Sequence, residues 1–256
     1  MQRKPELGKY LLWLLFRRHA GIRRYLPATK RYSRQTLGEF LKSYQTVYVK
    51  PVAGSMGRGI LKVWQTRGKI AVQKTTDRPR LYATLPEACR YIDAQRQGKA
   101  YIVQQGLELA TVGGRPFDIR VMMQREKPGG KWQYSGSVAK IAGKGSVVTN
   151  VALSRGTVME VQAALRQAFR WSEPKINSYM QQMVKLSFQA ASHFDTYQKY
   201  RELGFDIAID RNGRIWLIEE NTGPSHGLFA KLTSNKTMYR TIQRRAALYR
   251  KMRRKV

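Results

Sequence analysis

The chain has 256 residues, 42% apolar and 11% aromatic, enough to bury one large core or two small ones. Its 48 Lys and Arg against 16 Asp and Glu give a net charge of +32, which excludes an ordinary neutral surface. Such a field favours nucleic acid, an anionic membrane, an acidic peptide or polymer, or a phosphorylated substrate. The single Cys89 excludes an internal disulfide and a cysteine-based zinc site, and three scattered histidines argue against a histidine metal centre.

In chain order, the apolar run Leu11 to Phe16 (LLWLLF) ends at Arg17, Arg18 and His19. It is too short for a transmembrane helix or a signal-peptide core, so it reads as a packed helix or a basic interfacial anchor. Tyr32 to Tyr44 reads as a helix capped by Ser33, with Leu37, Phe40 and Leu41 on one face. Thr46 to Lys50, Ile60 to Gln65 and Lys69 to Lys74 read as strands of an antiparallel meander, the first two joined by a glycine-rich turn. A helix over Leu85 to Gln97 precedes a strand over Ala100 to Gln105. Phe117 to Gln124 and Trp132 to Ala142 are further strands, and Met159 to Arg170 and Lys175 to Lys199 read as helices. Phe205 to Asp210 and Arg214 to Glu219 form a hairpin around Arg211-Asn212-Gly213. The basic run near the C-terminus has apolar residues at helical spacing, among them Met238, Ile242, Ala246 and Tyr249, and reads as a basic amphipathic helix. The fold class is α+β with mostly antiparallel sheets. Residues 1–34 and 230–256 together hold +19 of the charge, either as solvated ends or as docking elements.

Two segments carry chemistry. The loop Gly54-Ser55-Met56-Gly57-Arg58-Gly59 follows Lys50, and glycines there leave backbone amides open to phosphate oxygens. No helix follows it, so it is neither a Walker loop nor a dinucleotide fingerprint. By itself it is equally a structural hairpin with a solvated lysine. The second segment, GFDIAIDRNGRIWLIEENTGP, gathers four of the sixteen acids between 206 and 220. Asp206 and Glu219 lie at facing ends of the hairpin, with Asn221 two residues on. Two carboxylates and an amide oxygen suit Mg²⁺, which fills its octahedron with water and nucleotide phosphates. The alternative is a charged hairpin without metal.

Together with YIVQQGLELATVGGRPFDIRVMM, these segments resemble the ATP-grasp superfamily, and within it the YheC/YheD group described as endospore coat-associated. The resemblance implies two α+β lobes enclosing an ATP cleft. A basic N-terminal segment (1–45) would stand where many members carry a further substrate-binding domain, here shortened or absent. The smaller lobe would span 46–105, the larger 106–232, and a basic helix 233–256. Lys50 and the loop Gly54, Ser55, Met56, Gly57, Arg58 and Gly59 would hold the nucleotide phosphates. Gln104, Gln105, Gly106 and Leu107 would lie beside adenine and Glu108 near the ribose. Asp118 and Asn150 would line the phosphate side, Arg120 and Lys140 would act in catalysis, and Asp206, Glu219 and Asn221 would bind Mg²⁺, as two ions. In several peptide ligases of the superfamily an Arg stands two residues before the first metal Asp; this chain has Gly204.

The implied activity is joining a carboxylate to an amine through an acylphosphate, on an acidic small molecule, peptide or polymer. A catalytically weak ATP-binding scaffold and a kinase of the same fold are the alternatives. The implied location is cytoplasmic, with the spore coat or an anionic surface as partner. Nucleic acid is a poorer partner, because the aromatics follow strand and core patterns rather than a stacking motif.

Overall fold

The computed structural model describes residues 4–54, 58–75, 77–146, 149 and 151–254. The chain opens with α1 (Lys9–Arg17), α2 (Ala20–Arg23), β1 (Thr29–Arg31), α3 (Arg34–Ser43) and β2 (Thr46–Pro51). There follow β3 (Leu61–Thr66), β4 (Lys69–Lys74), β5 (Arg80–Tyr82), α4 (Leu85–Arg96) and β6 (Tyr101–Gln105). The second half holds β7 (Thr111–Val112), β8 (Arg115–Gln124), β9 (Gln133–Ile141), α5 (Val151–Ser154), β10 (Thr157–Met159) and α6 (Val161–Phe169). It closes with α7 (Glu173–Phe194), β11 (Glu202–Ile209), β12 (Ile215–Asn221), α8 (Gly227–Ala230) and α9 (Thr237–Arg253).

Among the described residues these strands form two antiparallel sheets. The first runs β1-β6-β2-β3-β4-β5 and the second β10-β9-β8-β11-β12, with β7 paired to β8. The first sheet carries its helices on one face. Leu37, Phe40 and Leu41 of α3 and Ala88, Cys89 and Ile92 of α4 pack on Val47, Val49, Val63 and Val103. Local chemistry fixes both helix starts. The Ser33 hydroxyl accepts from the Thr36 amide, and Thr84 and Glu87 form a reciprocal capping box with proline in the first turn. Residues 29–44 therefore contribute an edge strand and a packed helix to the first sheet, ahead of Thr46.

The larger sheet has a period-two division of labour. Phe117, Ile119, Val121 and Met123 of β8, Ala139 and Ile141 of β9, and Phe205, Ile207 and Ile209 of β11 all join one core under α6 and α7. Their neighbours Asp118, Arg120, Lys140 and Asp206 are thereby turned to the opposite face, toward the first sheet. The run LLWLLF lies within α1, where Leu12 and Phe16 are buried, so the packed-helix reading holds.

Some boundaries differ from the sequence expectation. Tyr32 is not helical; its amide donates to Tyr101 O at 2.9 Å, extending the first sheet. Thr157–Met159 pairs with β9 as a strand, so the helix expected from Met159 begins at Val161. The long helix ends at Phe194, before Lys199. The basic C-terminal run is helical from Thr237 and seats Ile242 and Ala246 on the cleft-side face of the larger sheet, against β8 and β9. Gly136 admits this packing: a Cβ there would stand 2.8 Å from Met238 Cβ. Among the described residues no helix is long and apolar enough to cross a membrane.

Candidate active site

A cavity of about 630 Å³ opens between the two sheets. Strand parity builds its small-lobe wall. Val47 and Val49 of β2 enter the core, which sends Tyr48 and Lys50 to the cavity. Lys50 Nζ donates to Gln104 Oε1 at 2.6 Å, and Gln104 Nε2 donates to Thr29 Oγ1 at 3.0 Å. Burial pushes the Lys50 ammonium down to about 8, and it pushes the Tyr48 phenol up to about 12. A desolvated ammonium clamped by a neutral amide is a charge suited to an anionic ligand.

The opposite wall is a network of four buried charges. In the ladder Asp118 stands opposite Lys140, Arg120 opposite Asp206, and Asp206 opposite Glu219. Arg120 grips Asp206 through Nε to Oδ1 at 2.6 Å and NH2 to Oδ2 at 3.1 Å. Lys140 Nζ lies 3.0 Å from both Asp118 Oδ1 and Asp206 Oδ2. The Thr149 hydroxyl donates to Asp118 Oδ2. Burial alone would raise Asp206, but Arg120 and Lys140 hold it well below the usual carboxylate range. Asp118 has less compensation, and burial raises it to about 6. Burial opposes the charge of Lys140, which Asp118 and then Asp206 more than restore.

A β-bulge aims the hairpin. Ile209, Ala208 and Ile207 pair regularly with Ile215, Trp216 and Leu217, and the register then slips so that Asp206 meets Glu219. Ile218 is the extra residue. Without the slip, Asp206 would oppose Ile218, and Glu219 would share the core-facing side of Phe205. With it, Ile218, Glu219 and Asn221 all line the cavity.

Arg120 also accounts for Gly204. A Cβ at 204 would lie 3.1 Å from Arg120 Cδ, 3.2 Å from NH1 and 2.7 Å from Pro224 Cβ. The guanidinium of Arg120, arriving from β8, therefore occupies the space beside Asp206 that a longer residue at 204 would claim.

The donor set fits Mg²⁺. Asp206 accepts one of these bonds on Oδ1 and two on Oδ2, which leaves a lone-pair site on Oδ1. Glu219 is 36% exposed at its side chain and has an ammonium, Lys9 Nζ, 3.4 Å from Oε1. Asn221 Nδ2 donates to Gly204 O at 3.4 Å, so its oxygen is the atom available to a cation. Among the described residues no three His, Cys, Asp or Glu side chains form a ready metal cage. That suits an ion that takes one or two protein carboxylates and completes its shell with water and phosphate.

Of the expected residues, the cavity gathers Lys50, Gln104, Gln105, Leu107, Asp118, Arg120, Lys140, Asp206, Glu219 and Asn221. Others lie elsewhere. Glu108 turns outward to an ion pair with Arg211 at 2.5 Å, so the structure does not bring it to the cavity wall. Gly106 is packed against Thr46, where a Cβ would stand 2.5 Å from the carbonyl oxygen. Gly59 lies under Tyr101, a Cβ there being 3.0 Å from the hydroxyl, and neither Gly54 nor Arg58 lines the wall. Ser55, Met56, Gly57 and Asn150 lie outside the described residues. Sequence reasoning passed over Tyr48, which shares strand parity with Lys50, as well as Thr149, Ile218 and Lys9, for which no local signal exists.

Glu220 points away from the cavity. Its Oε1 is buried, with no hydrogen-bond donor among the described residues, and burial, then Glu219 and Glu6, push it up to about 8. The folded chain thus holds a proton that the unfolded chain releases above the ordinary value of 4.5. Stability contributed there is present below 4.5 and is lost as the pH rises toward 8. Glu220→Gln is expected to melt with the native protein near pH 4 and progressively above it as pH rises. The gap should reach at least about 2–4 °C, the shift that one kcal/mol produces in a domain of this size. Thermal melts across pH 4–9 check this; parallel curves would refute it.

Comparison with known proteins agrees with this fold. The YheC/D-like ATP-grasp family description matches residues 3–252. The endospore coat-associated protein YheD of Bacillus subtilis (strain 168) is 28% identical over 203 residues, 77% of this chain and 43% of that protein. YheC of the same organism is 27% identical over 223 residues, 80% of this chain and 56% of that protein, so the chain spans about half the length of these relatives. Among solved structures, the C-terminal domain of K. lactis Pby1, an ATP-grasp enzyme interacting with the mRNA decapping enzyme Dcp2, aligns with a TM-score of 0.52 and 18% identity. That alignment covers 94% of this chain and 71% of that one. The ATP-grasp ligase PsnB, complexed with minimal precursor, Mg and ADP, aligns with a TM-score of 0.50 and 14% identity, over 94% of this chain and 58% of that one. With the two antiparallel sheets, the cleft between them and a family match over nearly all of its length, this chain belongs to the YheC/D-like ATP-grasp family.

Proposed function

We propose that this protein is an ATP- and Mg²⁺-dependent ligase that joins a carboxylate to an amine through an acylphosphate. The observation that carries the reading is the convergence of Lys50, Arg120 and Lys140 on one cavity whose rim presents Glu219 and Asn221. Tyr48, Gln104, Gln105 and Leu107 offer the adenine wall, and Lys50 binds the phosphates. Mg²⁺, held by Asp206, Glu219 and Asn221, would neutralise charge on the bridging phosphate oxygens. A substrate carboxylate oxygen attacks the terminal phosphorus, the bond to ADP breaks, and Lys140 and Arg120 offset the charge that spreads over the phosphoryl oxygens. The amine then attacks the acyl carbon and phosphate departs, so no side-chain nucleophile is required. Asp118 acts through Lys140, keeping that lysine charged and pointed at the cavity.

The net charge of +32 favours an acidic peptide or polymer as the carboxylate donor. The solved complex of PsnB with precursor peptide PsnA2 and AMPPNP supports a peptide as a compatible substrate class for this fold. Incubation with ATP, Mg²⁺ and a panel of acidic peptides and amines is expected to release ADP with an amide product visible by mass spectrometry. A phosphoester product would make the protein a kinase. Nucleotide binding with no ADP across the panel would leave an ATP-binding scaffold.

A further inference from the structure

A segment outside the cavity wall, residues 4–9, reaches the lining residue Glu219. Residues 4–9 cross from one lobe to the other beside Glu219. On the large lobe, the Lys4 amide donates to Gln198 Oε1 at 2.8 Å, Tyr197 OH donates to the Pro5 carbonyl, and Thr222 Oγ1 donates to Glu6 at 3.3 Å. On the small lobe, the Lys9 amide donates to Val52 O at 2.9 Å. Gly8 lies so close there that a Cβ would stand 2.5 Å from Val52 Cγ1. This bridge delivers the side chain of Lys9, 20% exposed, between the two halves of the site. Its Nζ donates to Gly54 O at 2.5 Å and lies 3.4 Å from Glu219 Oε1.

Lys9 thus ties the phosphate loop directly to the hairpin carboxylate. Its ammonium and that of Lys50 also lie close enough for Lys9 to disfavour the charge on Lys50. Lys9 and Lys50 both neighbour the half-exposed Glu219, with Asp118 also acting on Lys50, and a polyphosphate entering beside them would meet two ammoniums. A divalent cation on Glu219 would repel the ammonium beside it, and the polyphosphate is the anion that would receive it.

Resting on the ATP- and Mg²⁺-binding reading above, we propose that Lys9 is a further phosphate-binding residue of this site. It occupies Glu219 in the nucleotide-free protein and moves onto the polyphosphate when a divalent cation takes that carboxylate. Segment 4–9 then acts as a strap whose closing contact is made with the nucleotide.

Calorimetric titration of ATP with Mg²⁺, and of adenosine, into the native protein, Lys9→Met and Lys9→Arg tests this. Lys9→Met should bind ATP about tenfold or more weakly, the loss of one charge-assisted hydrogen bond, and adenosine unchanged. Lys9→Arg should keep most of the ATP affinity. Without nucleotide, Lys9→Met should bind Mn²⁺ more tightly than the native protein, because the competing ammonium is gone. Equal ATP affinity in Lys9→Met and the native protein overturns the proposal while leaving the ATP site intact. So does an equal loss of ATP and adenosine, which would make the strap purely structural. Unchanged Mn²⁺ affinity overturns the exchange at Glu219. A native protein that binds no ATP overturns both this proposal and the reading beneath it.

Discussion

Replacing Asp206 with alanine is expected to do two separable things: abolish Mg²⁺-dependent ATP binding and lower the unfolding temperature markedly. Asp206 is a prospective ligand and also the counter-ion of Arg120 and Lys140, which are buried with it. Removing it leaves two buried cations with Asp118 as their buried counter-charge and the half-exposed Glu219 nearby. Breaking a buried pair from one side costs roughly 3–5 kcal/mol, because the surviving charge keeps its desolvation penalty. Glu219→Ala should behave differently. Glu219 is half-exposed and its ion pair with Lys9 is long, at 3.4 Å, so metal dependence should be lost with little change in stability. The double variant Asp206→Ala/Lys140→Met, which restores charge balance in the network, should regain much of the stability and none of the ATP binding. Thermal melts with nucleotide titrations, with and without Mg²⁺, check all three. An Asp206→Ala protein as stable as the native one would contradict the buried-network account.

Lys50→Ala is expected to weaken ATP binding by about tenfold to a hundredfold, the worth of a charge-assisted contact to a phosphate in a part-buried wall. A pH signature separates this from loss of packing. Burial puts the Lys50 ammonium at about 8 in the nucleotide-free protein, and a bound polyphosphate would raise it again. The native dissociation constant for ATP should therefore climb above pH 8, by up to about tenfold per pH unit, since binding then requires uptake of a proton. That break should vanish in Lys50→Ala. Glu220 also titrates at about 8, so Glu220→Gln is the control that must keep the break. The stability sign runs the other way from affinity. The unfolded chain holds the Lys50 proton up to 10.5, so the cost of burying the ammonium persists below 8 and is relieved as pH rises from 8 to 10.5. A pH-independent affinity across 7–9.5 would remove Lys50 from the phosphate contacts.

Much of the fold was legible because its signals are local. Ser33 and the Thr84–Glu87 box announce helix starts through hydrogen bonds that close within three residues. The alternation Phe117, Ile119, Val121 and Met123 announces a core-facing strand and so places Asp118 and Arg120 on its other side. Boundaries shifted where partners outside the segment decided them. Thr157–Met159 is a strand because β9 offers an edge, and Tyr32 is extended because Tyr101 accepts its amide. The outward turn of Glu108 has the same origin: Arg211, far away in sequence, pairs with its carboxylate.

The sequence by itself determined the strand parity, the basic excess and the acid-rich hairpin, because side-chain alternation and turn chemistry are properties of neighbouring residues. Tertiary structure alone decided the sheet order β9-β8-β11-β12, which sets Lys140, Asp118, Arg120 and Asp206 side by side in mutual neutralisation. It alone decided the bulge at Ile218, since a regular ladder would have turned Glu219 toward the core. It alone brought Lys9 to Glu219 across the cleft. In each case long-range pairing fixes the outcome: one residue of register reverses a strand's faces, and buried charges persist only where the fold supplies opposite ones.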